Sequence, residues 1–143
     1  MDTPLQKYPV VLDANIFVSF LLAPSGSIGN LLQLWQNRIL QVYITREIYE
    51  EVARVTKYSK ITSRIPPETR LMLLRLLLHA TFKTPQVPAL NVIEVDPSDN
   101  KYLECALAAS ARWIITGDKH LLQLKKYQGI HIITPRQFLQ QLK

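Results

Sequence analysis

Apolar residues in this chain gather in short, nearly unbroken runs, separated by stretches where they return every three or four positions. The first run, Tyr8–Leu12, is rich in valine and ends at Asp13. A run that is apolar at successive positions predicts a strand buried on both faces, as in a parallel sheet. Leu40–Ile44, residues 113–116 and Ile130–Ile133 have the same character, and residues 92–95 form a further short candidate. Between them lie helical patterns. Residues 16–22 open a helix that Pro24, Ser25 and Gly26 interrupt, and Ser27 is placed to cap a second one carrying Ile28, Leu31, Leu32, Leu34 and Trp35. Thr45 is placed to cap a helix whose buried face is Ile48, Val52 and Val55. Pro67, with Glu68 in the first turn, starts a helix whose residues 71–78 are apolar on nearly every side. Asp96-Pro97-Ser98-Asp99 reads as a turn and cap before a helix with Tyr102, Leu103, Ala106 and Leu107. Leu121, Leu122 and Leu124 form a short helix, and Pro135 starts the last one, with Phe138 and Leu142. Residues 58–67 and 82–90 lack periodicity and read as loop or extended chain. Strands alternating with helices imply a parallel sheet covered on both faces.

The length of 143 residues suits one domain spanning 1–143. The hydrophobic share of 48% and charged share of 20% are those of a globular chain and exclude a disordered one. The single cysteine, Cys105, rules out an intrachain disulfide and fits a reducing compartment. Residues 1–8 are polar, with Asp2 and Lys7, and carry no apolar leader core; the apolar stretch 71–80 is broken by Arg75 and is too short to span a bilayer. The expectation is a soluble, cytoplasmic protein without a membrane partner. A formal charge of +6 favours polyanions, of which nucleic acid is the commonest.

In parallel sheets ligands bind beyond the carboxyl ends of the strands. The first strand runs into Asp13-Ala14-Asn15, and residues 113–116 run into Gly117-Asp118. The helix after the second strand carries Glu47, Glu50 and Glu51, and the turn 96–100 opens the helix that leads into the fourth. Four elements thus deliver acids towards one end of the sheet. Clustered carboxylates repel one another, and a divalent cation resolves that repulsion. Oxygen ligands select Mg²⁺ or Mn²⁺. His79, His120 and His131 lack zinc-ligand spacing, and there is no glycine-rich phosphate loop. Bare carboxylates with Mg²⁺ are characteristic of phosphodiester cleavage. Asp99 equally suits a helix cap, Asp118 a turn, and Glu47 and Glu50 a solvated helix face. Asp13 has no such plain reading, because a carboxylate ending a buried strand is costly without a partner.

The segment Val-Val-Leu-Asp13-Ala-Asn15-Ile-Phe-Val-Ser resembles the opening motif of PIN-domain nucleases. Asp96-Pro-Ser-Asp99-Asn-Lys-Tyr-Leu-Glu-Cys-Ala and Ile-Ile-Thr116-Gly-Asp118-Lys-His-Leu-Leu resemble the third and fourth motifs, and Ile-Ile-Thr-Pro135-Arg-Gln-Phe-Leu resembles the ending of the VapC-like branch, toxins of toxin–antitoxin pairs. The resemblance covers about residues 8–142. It implies a three-layer α/β/α sandwich with a five-stranded parallel sheet in the order 3-2-1-4-5. It also implies a metal-dependent endoribonuclease, a cognate antitoxin and RNA as partners. Asp13, Asp99 and Asp118 fall on acidic positions that hold the metal, and Glu51 on the remaining catalytic acid, with Glu47 in reserve one turn earlier. Asn15 and Thr116 match supporting polar positions. Asp96 and Asn100 are further candidates for the acid of the third motif.

The residues also leave rivals open. One is a PIN nuclease of RNA maturation. A second is a non-catalytic RNA-binding module with the same fold. A third is a phosphatase with Asp13 as nucleophile, although such enzymes usually carry a second Asp where this chain has Asn15. Arg46, Lys101 and Lys119 are candidate phosphate contacts. The apolar helix 71–78, through Leu71, Leu74 and Leu78, suggests a homodimer.

Overall fold

The structure, a computed structural model, describes residues 7–80, 82–83, 93 and 97–142. The elements follow in chain order as β1 (Tyr8–Leu12), α1 (Ala14–Leu22), α2 (Gly26–Gln36), β2 (Leu40–Ile44), α3 (Arg46–Val55), α4 (Ser59–Thr62), α5 (Pro67–Ala80), β3 (Phe82–Lys83), α6 (Asn100–Ala109), β4 (Trp113–Ile115), α7 (Lys119–Leu122), β5 (Lys126–Tyr127), β6 (Ile130–Ile133) and α8 (Pro135–Gln141). A single 3₁₀ turn, Pro97–Asp99, precedes α6.

The valine-rich first run is the centre of the sheet. β1 pairs in parallel with β2, Val10 opposite Val42, and with β4, Val11 opposite Ile114. Successive residues of a strand point to opposite faces. Val10, Val11 and Leu12 are all fully buried, so both faces are covered and the architecture is three-layered. The described strands lie in the order β3-β2-β1-β4-β6-β5. The five from β3 to β6 are parallel neighbours and reproduce the expected order 3-2-1-4-5. The sixth, β5, is an added edge strand, antiparallel to β6. Its hairpin turns on Gln128 (φ 47°) and Gly129 (φ 83°), both left-handed as a two-residue turn requires. Glutamine is an unusual residue there, so no turn signal announced it. The single-turn helix α4 was equally invisible, since one turn holds no periodicity. The third strand of the order 3-2-1-4-5 is Phe82–Lys83, in a stretch read as loop or extended chain, and not the expected strand at 92–95; of the latter only Ile93 is described, outside any strand, and the rest lies outside the described residues.

Two aromatic clusters hold the helices. Phe17 of α1 meets Trp35 of α2 and Phe20, with centroids 5.7 and 6.0 Å away. Phe138 of α8 meets Tyr8 and Trp113 at 6.0 and 5.6 Å. Thr134 caps α8 with a reciprocal bond to Gln137, as a capping box does. Arg70 fastens α5 to the end of α3, donating to the Thr56 hydroxyl at 2.9 Å and the Ala53 carbonyl at 2.8 Å. α5 buries Leu73 and Leu77 but leaves Leu71, Met72 and Leu78 exposed, so its apolar circumference is only partly covered within the chain.

Phe17 is buried and anchored by two rings, so Phe17→Ala should lower unfolding stability by about 3–5 kcal/mol. Met72 is 65% exposed; Met72→Ser should change it by less than about 0.5 kcal/mol. Urea titrations of both variants check this contrast.

Candidate active site

Asp13 stands where β1 gives way to α1. Its backbone is extended (φ −78°, ψ 167°), as an N-cap requires, and its Oδ1 accepts the Ile16 N–H at 3.1 Å. Its Oδ2 accepts the hydroxyl of Thr116, the residue just beyond β4. The same hydroxyl oxygen accepts the Asp118 N–H at 2.9 Å. Asp118 in turn caps α7, accepting the His120 N–H at 2.8 Å. The ends of two adjacent central strands are therefore joined through Thr116, with a carboxylate on each.

Asp13 is 2% exposed. Burial pushes its carboxyl up from 3.8 to about 6; the bonds from Thr116 and Ile16 oppose that rise, and the negative charges of Asp118 and Glu51 add to it. Glu51, on α3, reaches the same region through Tyr102. The Tyr102 hydroxyl accepts from Ala14 N–H at 3.0 Å and donates to Glu51 Oε1 at 2.5 Å. Burial, and then that bond to Glu51, raise the phenol well above its ordinary value, so it stays a donor. Lys101 Nζ lies 2.5 Å from Glu51 Oε2.

The structure thus brings Asp13, Glu51, Thr116 and Asp118 together. Asp99 ends the 3₁₀ turn before α6, 7% exposed, and its side chain makes no capping bond, so the plain helix-cap reading does not account for it. Asn100 spends its side chain on the backbone of Ile93, accepting its N–H at 2.8 Å and donating to its carbonyl at 3.1 Å. Asn15 and Glu47 are exposed, in the first turns of α1 and α3. Asp96 lies outside the described residues. Among the described residues no three His, Cys, Asp or Glu side chains are gathered as a ready metal site.

Of the three basic candidates, Lys101 is corrected. It is 5% exposed and committed to Glu51 and the Ser98 carbonyl, so it does not face solvent as a phosphate contact. Arg46 is 91% exposed and pairs with Glu50 at 2.8 Å, and Lys119 is exposed. Tyr102 is the residue that sequence reasoning placed only in a helix face. A buried tyrosine must satisfy its hydroxyl, and this one follows Asp99 by three positions, which was the available signal.

The donor chemistry of this edge fits a hard divalent cation. Its acids offer only oxygen ligands, and Asp13 is destabilised as an anion chiefly by burial, with the nearby charges of Asp118 and Glu51 adding to it, a deficit that a cation would offset. An α/β protein whose sheet ends in coupled carboxylates is the class so defined. Residues 9–120 match the PIN domain, and the chain belongs to that family. PIN domains are typically nucleases and generally use divalent metal ions. The chain is 30% identical to Uncharacterized protein MJ1680 of Methanocaldococcus jannaschii over 149 residues, covering 96% of this chain and 93% of that one. Its fold is similar to that of PAE2754 from Pyrobaculum aerophilum (TM-score 0.61, 15% identity, 94% of this chain and 89% of that one). It is also similar to VapBC2 from Rickettsia felis, solved bound to a DNA fragment from their promoter (TM-score 0.55, 17% identity, 87% of this chain and 96% of that one).

The Asp13 carboxyl at about 6 has a consequence for stability. Between the unfolded value near 3.8 and about 6 the folded state keeps a proton that the unfolded state has lost. Stability from this group is therefore full at low pH, falls as pH rises through that window, and is flat above it. Removing the charge by Asp13→Asn should stabilise the metal-free protein by about 2–3 kcal/mol at pH 8 and leave it unchanged near pH 4. Urea unfolding of both proteins in chelator measures the difference at each pH.

Proposed function

We propose that this protein is a Mg²⁺- or Mn²⁺-dependent endoribonuclease that works in the cytoplasm as the toxin of a type II toxin–antitoxin pair. The observation that carries this reading is the linkage of Asp13 to Asp118 through Thr116, with the Asp13 carboxyl raised by burial and, to a lesser degree, by its acidic neighbours. Membership of the PIN domain family supports hydrolysis of nucleic acid, and similarity of fold to a VapBC protein supports the toxin assignment.

In this reading Asp13 and Asp118, with Asp99 beside them, hold the cation, and Thr116 fixes the direction of the Asp13 carboxylate. When bound, the cation supplies Lewis-acid activation of water and neutralises charge on the phosphate. Glu51 orients the attacking water, and Asn15 borders the site from the first turn of α1. The excess positive charge of the chain draws the RNA backbone. The antitoxin places an arginine or lysine among the carboxylates, where it competes with the cation.

Purified wild type should cleave RNA with Mg²⁺ and stop in EDTA. Asp13→Asn and Asp118→Asn should each reduce cleavage at least about 100-fold while remaining folded. Equal cleavage by wild type and Asp13→Asn would overturn the assignment. RNA binding without cleavage by wild type favours the non-catalytic module instead. Expression in the native host should arrest growth, and co-expression of a small adjacent reading frame should relieve the arrest. Cleavage in vitro without growth arrest would make this a nuclease of RNA maturation.

The uncovered face of α5 supports a homodimer. Leu71 and Leu78, two turns apart and 47% and 46% exposed, flank Arg75 on a surface that water solvates poorly. Light scattering at tens of micromolar should report a dimer, and Leu71→Glu with Leu78→Glu should give a monomer.

A further inference from the structure

Lys101 is a cation inside the protein that none of the roles above employs. Its ammonium donates to the Ser98 carbonyl at 2.7 Å, pairs with Glu51 Oε2 at 2.5 Å, and lies 5.0 Å from the centroid of the Tyr102 ring. The other oxygen of the same carboxylate, Oε1, accepts the Tyr102 hydroxyl. Both oxygens of Glu51 are thus engaged by neighbouring residues of α6, and α6 itself is tied to the start of α1 through Ala14. Glu51 is 19% exposed, yet its charge faces an internal cation. A buried ammonium is retained only where its partners are well placed, because its desolvation is costly. Among the described residues nothing comparable engages Asp118, whose Oδ1 meets a backbone N–H and the side of His120, 3.9 Å away.

We propose that Lys101 is a positioning residue, a fixed counter-cation that, together with Tyr102, keeps Glu51 outside the groups that ligate the divalent cation. The proposal rests on the cation-dependent reading above. Ligation then falls to the aspartates, while Glu51 is held in one place to act on what the cation binds. Charges this close in a partly buried site interact strongly, so an ammonium on one carboxylate decides which acids remain free for a metal.

Calorimetric titration of the full chain with Mn²⁺ tests this without reference to activity. Lys101→Met frees Glu51 to join the ligands and should tighten Mn²⁺ binding by at least about tenfold. The double variant Lys101→Met with Glu51→Gln, which removes the ammonium and its partner together, should return to within about threefold of wild type, because the gain depends on Glu51. Tyr102→Phe removes one oxygen and keeps the ring packing; it should tighten binding in the same direction, and it decides the matter if Lys101→Met does not fold. Binding by wild type that neither Lys101→Met nor Tyr102→Phe tightens would overturn this inference alone, as would a double variant that binds as tightly as Lys101→Met. No Mn²⁺ binding by folded wild type would overturn the cation reading itself. If Lys101→Met then bound Mn²⁺, the role of Lys101 would still stand.

Discussion

A carboxylate at the end of the central strand is the constraint on which the rest of the site depends. β1 delivers Asp13 into a place with almost no solvent, where its negative charge is disfavoured. The fold answers with two donors, the Ile16 N–H that begins α1 and the Thr116 hydroxyl beyond β4. Neither donor exists unless β1 is paired with β4 and α1 starts at once. The strand order and the helix start are therefore conditions for keeping this acid inside. The two donors do not fully offset burial and the charges of Asp118 and Glu51, so the carboxyl stays raised, and a positive charge would complete the compensation.

The second layer of the site works in the opposite sense. Glu51 receives its positive partner from within the chain, as Lys101, and a neutral donor as Tyr102. Acids that all arrive at one sheet edge are thus electrically unequal. Asp13 is left wanting a cation, whereas Glu51 already has one. Such separation of carboxylates by environment is how one cluster of like groups comes to hold different duties. It also explains why α6 is so thoroughly buried at its start: Asn100, Lys101 and Tyr102 each point a polar group at a partner in the interior, and each is matched there.

Away from the site, α5 keeps an apolar face that the described residues only partly cover. α1, α2 and α5 bound an apolar cavity of about 390 Å³ that includes Phe20, Leu32, Met72 and Leu76, next to the outward leucines of α5. An exposed apolar surface of this kind marks contact with another macromolecule more often than it serves the isolated chain. It lies on helices that also carry the first aromatic cluster, Phe17, Phe20 and Trp35.

Periodicity alone determined much of the architecture. The run Tyr8–Leu12 declared a central parallel strand, Thr45 and Pro67 declared helix starts, and the acids after the strands declared which edge gathers carboxylates, because topology obliges strand ends and helix beginnings to share that edge. Asp13 and Asp118 were legible as a pair from their places after β1 and β4. What a linear pattern cannot carry is contact between residues far apart in the chain. Tyr102 read as one more apolar helix position until its hydroxyl was seen to bridge Ala14 and Glu51, 88 and 51 positions away. Lys101 read as a surface cation because lysines usually are, and only the folded chain showed its ammonium enclosed. Asn100 resembled a spare ligand until its amide was found clamping Ile93. Sequence fixes residue type and spacing, whereas the charge a side chain feels depends on how much water is excluded and what stands opposite, and only tertiary packing decides that.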